Sequence, residues 1–280
     1  MTRVSKFELR VAACQMTSND DVKSNASQIF EFLKNFEAQD DNVDLVSFPE
    51  NSLFFRINTG GEFNGIAKDD PFFKELAAWA RQYKTNIHLG SVALKNPNTK
   101  LLNGTVWVNS EGEICFPYSK IHLFDVDVPG EAGVRESDVF TAGTETAVVQ
   151  IDQWNIGLSI CYDLRFSELY LRYAKAEVDL ILVPSAFLVT TGRAHWHNLL
   201  KARAIEAQAY VVAAAQGGRH LSSSGEKRYT YGHSMIIEPW GEIVKEVLDD
   251  GQKYIVHTLK KSVIEKVRAQ IPMRNHRRLS

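Results

Sequence analysis

Residues 155–166 read Asn155-Ile156-Gly157-Leu158-Ser159-Ile160-Cys161-Tyr162-Asp163-Leu164-Arg165-Phe166. The first six form an apolar run of strand length that stops at Cys161, and a helical pattern starts at Phe166 and continues to residue 176. The next apolar run, 180–183, is again of strand length, and a helical pattern over 194–207 leads to another at 210–215. Strand, helix, strand in this rhythm specifies parallel strands joined by crossover helices, and so an α/β layered domain rather than a bundle or an all-β barrel.

The same alternation extends toward the N-terminus. Residues 9–16 read as a strand, and 21–36 as an amphipathic helix with Val22, Ala26, Ile29, Phe30, Leu33 and Phe36 near the 3.6 period. Residues 45–48 read as a short buried strand, 71–83 as a second helix, and 87–94, 104–109 and 113–118 as strands. Toward the C-terminus, 232–238 and 243–247 form a hairpin across Pro239-Trp240-Gly241, and 254–259 is the last strand. At least ten strands would make one open sheet unusually wide. Two mixed sheets packed face to face, each covered by helices, are the more economical layout. Residues 217–231, rich in Gly, Ser and Lys, read as a long loop, and 270–280 as a short basic tail that is either solvated or a subunit contact. No stretch reads as a linker, so residues 1–280 are taken as a single domain.

Composition sets the outer limits. Of 280 residues 44% are hydrophobic and 24% charged, which suits a chain that buries a core and excludes a disordered one. A net charge of −2 gives no general attraction to nucleic acid or anionic lipid. Three scattered cysteines do not make a disulfide framework or a zinc ribbon. No apolar stretch reaches membrane-helix or signal-peptide length, so a cytoplasmic location is expected, with neither a membrane nor a nucleic-acid partner.

Cys161 is the most informative cysteine. A residue between a strand end and a helix start sits among backbone N–H groups and the positive end of the helix dipole. That setting favours a thiolate and offers oxyanion donors, beginning with the N–H of Tyr162. The structural alternative, a buried core thiol, fits Cys14 and Cys115 better, because polar Asp163 and Arg165 follow Cys161 at once. A thiol nucleophile needs a base. His122 and His233 are the histidines available, as in papain-like enzymes. Glu50, which ends the apolar run Leu45-Val46-Ser47-Phe48-Pro49, is the carboxylate available; alone it reads equally as a helix cap or a surface charge. Lys120 precedes Ile121-His122-Leu123-Phe124 and either serves as a fixed cation for a developing oxyanion or snorkels to solvent.

Together the three are more specific. Glu50 stands in Phe48-Pro49-Glu50, Lys120 in Tyr118-Ser119-Lys120-Ile121-His122-Leu123-Phe124, and Cys161 in Ile160-Cys161-Tyr162-Asp163-Leu164-Arg165-Phe166, each at a strand end. In these contexts and this order the chain resembles the nitrilase, or carbon–nitrogen hydrolase, superfamily, from Val11 to the last strand. The resemblance implies a four-layer α-β-β-α sandwich, no metal or other cofactor, a small-molecule amide substrate, and a homodimer or higher homo-oligomer. It implies Glu50 as general base, Cys161 as nucleophile forming a thioester, and Lys120 with the Tyr162 N–H as oxyanion donors. A supporting glutamate is matched best by Glu136, with Glu131 as competitor.

The second half narrows the branch. Pro184-Ser185-Ala186-Phe187, Thr190-Thr191-Gly192-Arg193-Ala194-His195-Trp196-His197, Ala213-Ala214-Ala215-Gln216 and Tyr231-Gly232-His233-Ser234-Met235 resemble the amidase branch that holds the deaminated glutathione amidases and the omega-amidases, leaning toward the former. Both act on 2-oxoglutaryl amides. Arg165, four residues past the nucleophile, is expected to bind the substrate carboxylate, or else to pair with Asp163 or Glu168. His122, Phe187 and Thr191 are the expected pocket residues at the keto-acid end. Arg193 and His197 stand where relatives often carry proline and an acid, and either would shift the preferred leaving group if it lines the pocket.

Other signals carry less. His195 and His197 would not share a face on a helix, and no neighbouring Cys or carboxylate completes a ligand set, so no metal is expected there. No glycine-rich phosphate loop is present. The rivals are a hydrolase of N-carbamoyl compounds with the same triad, a papain-like Cys–His enzyme, and a non-catalytic binding module that keeps the fold.

Overall fold

The structure, a computed structural model, describes residues 7–38, 42–57, 63–97, 99–127 and 133–278. In chain order its elements are β1 (Glu8–Gln15), α1 (Val22–Ala38), β2 (Leu45–Phe48), α2 (Pro71–Tyr83), β3 (Asn86–Leu94), β4 (Leu102–Val108), β5 (Ile114–Cys115), β6 (Asp125–Val126) and β7 (Val134–Arg135). The second half adds β8 (Val148–Ile151), β9 (Trp154–Leu158), a 3-10 turn (Cys161–Arg165), α3 (Ser167–Lys175), β10 (Leu180–Leu182), α4 (Val189–Ala207) and β11 (Tyr210–Ala213). It closes with β12 (Gly217–Leu221), β13 (Lys227–Tyr231), β14 (Met235–Ile237), β15 (Ile243–Glu246), β16 (Lys253–Lys260), α5 (Lys261–Gln270) and α6 (Met273–His276).

Two six-stranded mixed sheets result, in the orders β16-β1-β2-β3-β4-β5 and β15-β14-β11-β10-β9-β8. β1, β2 and β3 run parallel, as do β9, β10 and β11, and the outer strands are antiparallel. β1 shows how the layers form. Its period-2 alternation sends Leu9, Val11 and Ala13 into a core shared with the second sheet and the helices beyond it. Ala12 and Cys14 point the other way, into the core under α1 and α2. The expected four-layer α-β-β-α sandwich is therefore the observed one. The sheets also touch end to end, where Met16 bridges Gln216 in parallel. No helix among the described residues is long and apolar enough to cross a membrane.

Three expectations need correction. Residues 217–231 are a β-hairpin, β12–β13, not a loop. Its polar side chains hide the alternation, while His220 and Thr230 turn inward and bond each other at 2.7 Å. α4 starts at Val189, five residues early; Gly192 permits this, since a Cβ there would lie 2.2 Å from the Tyr231 ring. The strand expected over 113–118 keeps only Ile114–Cys115, because Pro117 has no N–H for the ladder. The basic tail, as far as residue 278, is solvated as expected, with Arg274, Asn275, His276 and Arg278 exposed, and is anchored where Arg277 donates to Glu206 O at 2.9 Å and Arg274 pairs with Glu177.

Two buried histidines tie stability to pH. His88 of β3 meets Ser47 Oγ at 2.9 Å, and burial lowers its pKa to about 3. His220 sits between Ser18 O and Thr230 Oγ1, and burial lowers its pKa to about 4. Both stay neutral in the native state while the unfolded chain takes up protons below its own value near 6.5. Stability is thus complete above that value and falls as pH drops through the native pKa values. The loss is about 1.4 kcal/mol per histidine at about pH 5.5. Urea unfolding across that range checks it, and a flat profile between neutral pH and about pH 5 would contradict it.

Candidate active site

Three strand ends meet at one cleft. Glu50 follows β2 and Cys161 follows β9, beyond the C-terminal ends of central parallel strands, and Lys120 lies in the segment after the edge strand β5. The crevice outside strand C-termini is the usual ligand site of an open α/β sheet. Cys161 opens the 3-10 turn with φ +48°, a strained conformation for a residue with a side chain, held by its N–H bond to Pro184 O at 2.9 Å. Asp163, fully buried, fastens this elbow. It accepts from Ile160 N at 2.9 Å, Tyr118 Oη at 2.7 Å and His122 N at 2.9 Å, joining the Cys161 turn to the Lys120 segment.

Lys120 is buried between two carboxylates. Its Nζ lies 2.8 Å from Glu50 Oε1 and 2.8 Å from Glu136 Oε2. Asn103 Nδ2 adds a second donor to Glu50 Oε1 at 3.2 Å, and the Phe124 N–H donates to Glu136 Oε2 at 2.8 Å. Burial alone would lower the Lys120 pKa, but Glu136, Glu50 and Cys161 together push it well above the ordinary lysine value, so the ammonium is charged. Burial, with Glu50 nearby, holds Glu136 above the usual carboxylate range. The Cys161 thiol donates to the Glu50 carboxylate, and the Ala186 N–H points at the sulfur.

The sulfur's state differs from the expected thiolate. Burial and then the Glu50 charge raise the Cys161 pKa well above 9, against the opposing pull of Lys120. A one-turn 3-10 segment has little dipole to offset this. At rest the group is a thiol beside a carboxylate.

The cleft has a volume of about 1370 Å³, and Glu50, Lys120, Glu136, Cys161 and Ala186 all line it. Aromatic walls come from Phe54, Phe55, Phe63, Phe124 and Phe140. Arg56, Lys68, Lys95, Lys100, Arg135 and Arg228 line it too, against Asp138 as the one lining acid outside the Lys120 cluster among the described residues. Of these cations Arg135 is shared with Asp127 at 2.7 Å.

The residues expected to bind substrate lie elsewhere. Arg165, His122, Phe187 and Thr191 are not among the described lining residues. Arg165 rests over the rings of Phe187 and Tyr162, with Nη1 3.2 Å from His195 Nδ1, and makes neither expected ion pair, Asp163 being engaged as described. The His122 ring stacks on Phe166 at 3.7 Å and bonds Asp163 Oδ1 at 2.7 Å. Phe187 packs on Trp196, and Thr191 Oγ1 donates to Leu188 O at 3.3 Å. His233 bonds Glu246 at 2.7 Å, so both histidines considered as bases are held by other carboxylates. Glu131 lies outside the described residues. Asn103, Ala186 and the lining cations went unread; a lone Asn in an apolar strand was the only hint of the first.

Known proteins agree with this architecture. The family model for carbon-nitrogen hydrolases matches residues 10–269. The deaminated glutathione amidase of Dictyostelium discoideum is 37% identical, over 97% of this chain and 94% of its own length. The human deaminated glutathione amidase is 35% identical, over 96% of this chain and 82% of its own. Among solved structures, Nit3 of Saccharomyces cerevisiae, a member of branch 10 of the nitrilase superfamily, superimposes with a TM-score of 0.84 and 26% identity, covering 99% of this chain and all of its own. The NitFhit protein of C. elegans gives 0.85 and 33% identity, and this chain spans 66% of it. On this match, with the sandwich and the cleft it frames, the chain belongs to the carbon–nitrogen hydrolase family, as an amidase of the nitrilase superfamily.

Proposed function

We propose that the chain hydrolyses 2-oxoglutaryl amides, with deaminated glutathione as its main substrate, through a thioester on Cys161. The observation that carries this is the cleft itself: a thiol–carboxylate–ammonium cluster in a cavity whose other charged lining groups are nearly all cations. Deaminated glutathione bears two carboxylates, one at the keto-acid end and one on its glycine. A cavity of about 1370 Å³ suits that tripeptide-sized molecule better than the smaller 2-oxoglutaramate, the omega-amidase substrate.

In the proposed reaction the Cys161 thiol gives its proton to Glu50 as sulfur attacks the amide carbon. Lys120 Nζ and the Tyr162 N–H hold the oxygen as it becomes negative. Protonated Glu50 passes its proton to the leaving nitrogen, the C–N bond breaks, and cysteinylglycine departs. Water, losing its proton to Glu50, then opens the thioester; 2-oxoglutarate leaves and Glu50 returns the proton to the sulfur, restoring the thiol. Glu136 keeps Lys120 charged and in place. No cofactor enters any step. Arg165, His122, Phe187 and Thr191 would act on substrate only from behind the lining residues.

The working form we propose is a cytoplasmic homodimer or larger homo-oligomer. The free cysteines suit a reducing compartment, and exposed Ile205 and Trp240, on adjoining parts of α4 and the β14–β15 turn, suit a subunit contact. The test of function is 2-oxoglutarate release from deaminated glutathione and from 2-oxoglutaramate, with Cys161→Ala as control. Faster release from the former, absent in the variant, is expected. Preference for the latter would move the chain to the omega-amidases. Release from neither, with carbon dioxide freed from N-carbamoyl amino acids, would overturn the proposal.

A further inference from the structure

Three chain segments far apart in sequence bring metal-ligand groups together away from the cleft. His197 is on α4, His233 is in the turn before β14, and Glu246 ends β15. His197 Nε2 lies 2.8 Å from Glu246 Oε1, and His233 Nδ1 lies 2.7 Å from the same oxygen. One ligand atom from each residue falls within 4.8 Å of the other two. None of the three lines the cleft, and the proposed reaction uses none of them.

The arrangement is held from behind. His233 has φ +56°, its ring stacks on Tyr231 at 4.3 Å, and its carbonyl accepts from Trp196 Nε1 at 2.9 Å. Its Nδ1 is thus aimed before any ligand arrives, which lowers the ordering cost of binding. The side chains are 31%, 26% and 17% exposed, so an ion can enter and keep a water. Two imidazoles and a carboxylate, with one open position, are a zinc-type donor set. Metal–ligand distances of about 2.0–2.2 Å require the donor atoms to spread by roughly half an ångström from their present contacts, within reach of a carboxylate rotation. The sequence expectation of no metal rested on the pair His195 and His197, which a helix separates. The partners of His197 come instead from the turn before β14 and from β15.

We propose that His197 Nε2, His233 Nδ1 and the Glu246 carboxylate form a site for a divalent transition-metal ion of the zinc class, with water as fourth ligand, which staples α4 to the β14–β15 hairpin. The alternative is a hydrogen-bonded trio that takes no ion. Arg193, one turn earlier on α4, acts electrostatically on Tyr231 beside the trio, so micromolar rather than nanomolar affinity is expected.

The experiment titrates the full chain, carrying Cys161→Ala to remove the cleft thiol, with cobalt(II) and then competes with zinc(II). The expected result is one equivalent bound, with intense visible d–d bands of a tetrahedral ion, no thiolate-to-cobalt charge-transfer band, and displacement by zinc. His197→Ala is expected to weaken binding at least tenfold. Zinc is expected to raise the thermal midpoint of the parent protein but not of the variant. No saturable binding to the parent overturns the proposal whether or not the variant folds. So does a charge-transfer band marking a cysteine, or equal binding by parent and variant.

Discussion

Glu50→Gln protein is expected to fold as the parent does and to lose amide turnover by about a thousandfold, within the range for removal of a positioned general base. Glutamine keeps the shape and still accepts from Lys120 Nζ and Asn103 Nδ2 through its amide oxygen. It cannot take the Cys161 proton. Because burial and Glu50 hold the sulfur in its protonated form, little thiolate exists to attack without a base. The residual activity should therefore rise with pH as the thiolate forms, and because the substitution removes one cause of the raised Cys161 pKa, that rise should come at lower pH than the parent thiol would allow. Turnover near the parent level would sink the Glu50 assignment and revive a histidine base. Unfolding free energies of the two proteins, measured side by side, separate a chemical effect from a folding one.

Lys120→Met should have the largest effect on stability. The ammonium sits between the buried Glu50 and the part-buried Glu136, and methionine fills the space without the charge. Breaking a buried ion pair from one side costs about 3–5 kcal/mol, a large share of a typical domain's stability. The pH dependence identifies the cause. Without Lys120, which now opposes it, the rise that burial imposes on Glu136 grows, so this carboxylate binds a proton more tightly folded than unfolded. The penalty is therefore full at neutral pH and shrinks as pH falls toward the unfolded carboxylate value near 4.5. Since the parent itself weakens in acid through His88 and His220, the quantity to follow is the parent–variant difference in urea unfolding. A difference of equal size at pH 7 and pH 5 would show a packing defect instead. Turnover should also fall about a hundredfold or more, as expected for loss of an oxyanion donor.

Much of the architecture was legible because its signals are local. The runs ending at Glu50 and Cys161 are short, apolar and stopped by Pro49 or a polar turn, and the strand count alone argued for two sheets. What escaped depends on contacts between distant segments. The β12–β13 hairpin looks polar because, glycines apart, only His220 and Thr230 of its strand residues are buried. α4 begins among β-branched residues and a glycine whose value shows only once Tyr231 lies against it. The acidity of Cys161 was misjudged because a helix start was visible and the depth of burial was not. Arg165, His122, Phe187 and Thr191 were chosen by closeness in sequence to motifs, whereas the cleft's cations come from segments between Arg56 and Arg228.

The resting thiol has a consequence for survival under oxidative stress. Peroxides and disulfides react with the sulfur anion, and a low-pKa, accessible cysteine is what turns an enzyme into a redox sensor. A sulfur kept protonated until an amide sits above it gives such oxidants little to attack. On the proposed reading Cys161 is thereby shielded from sulfenic acid formation and from exchange with small disulfides, including the oxidised form of any thiol that the proposed reaction releases.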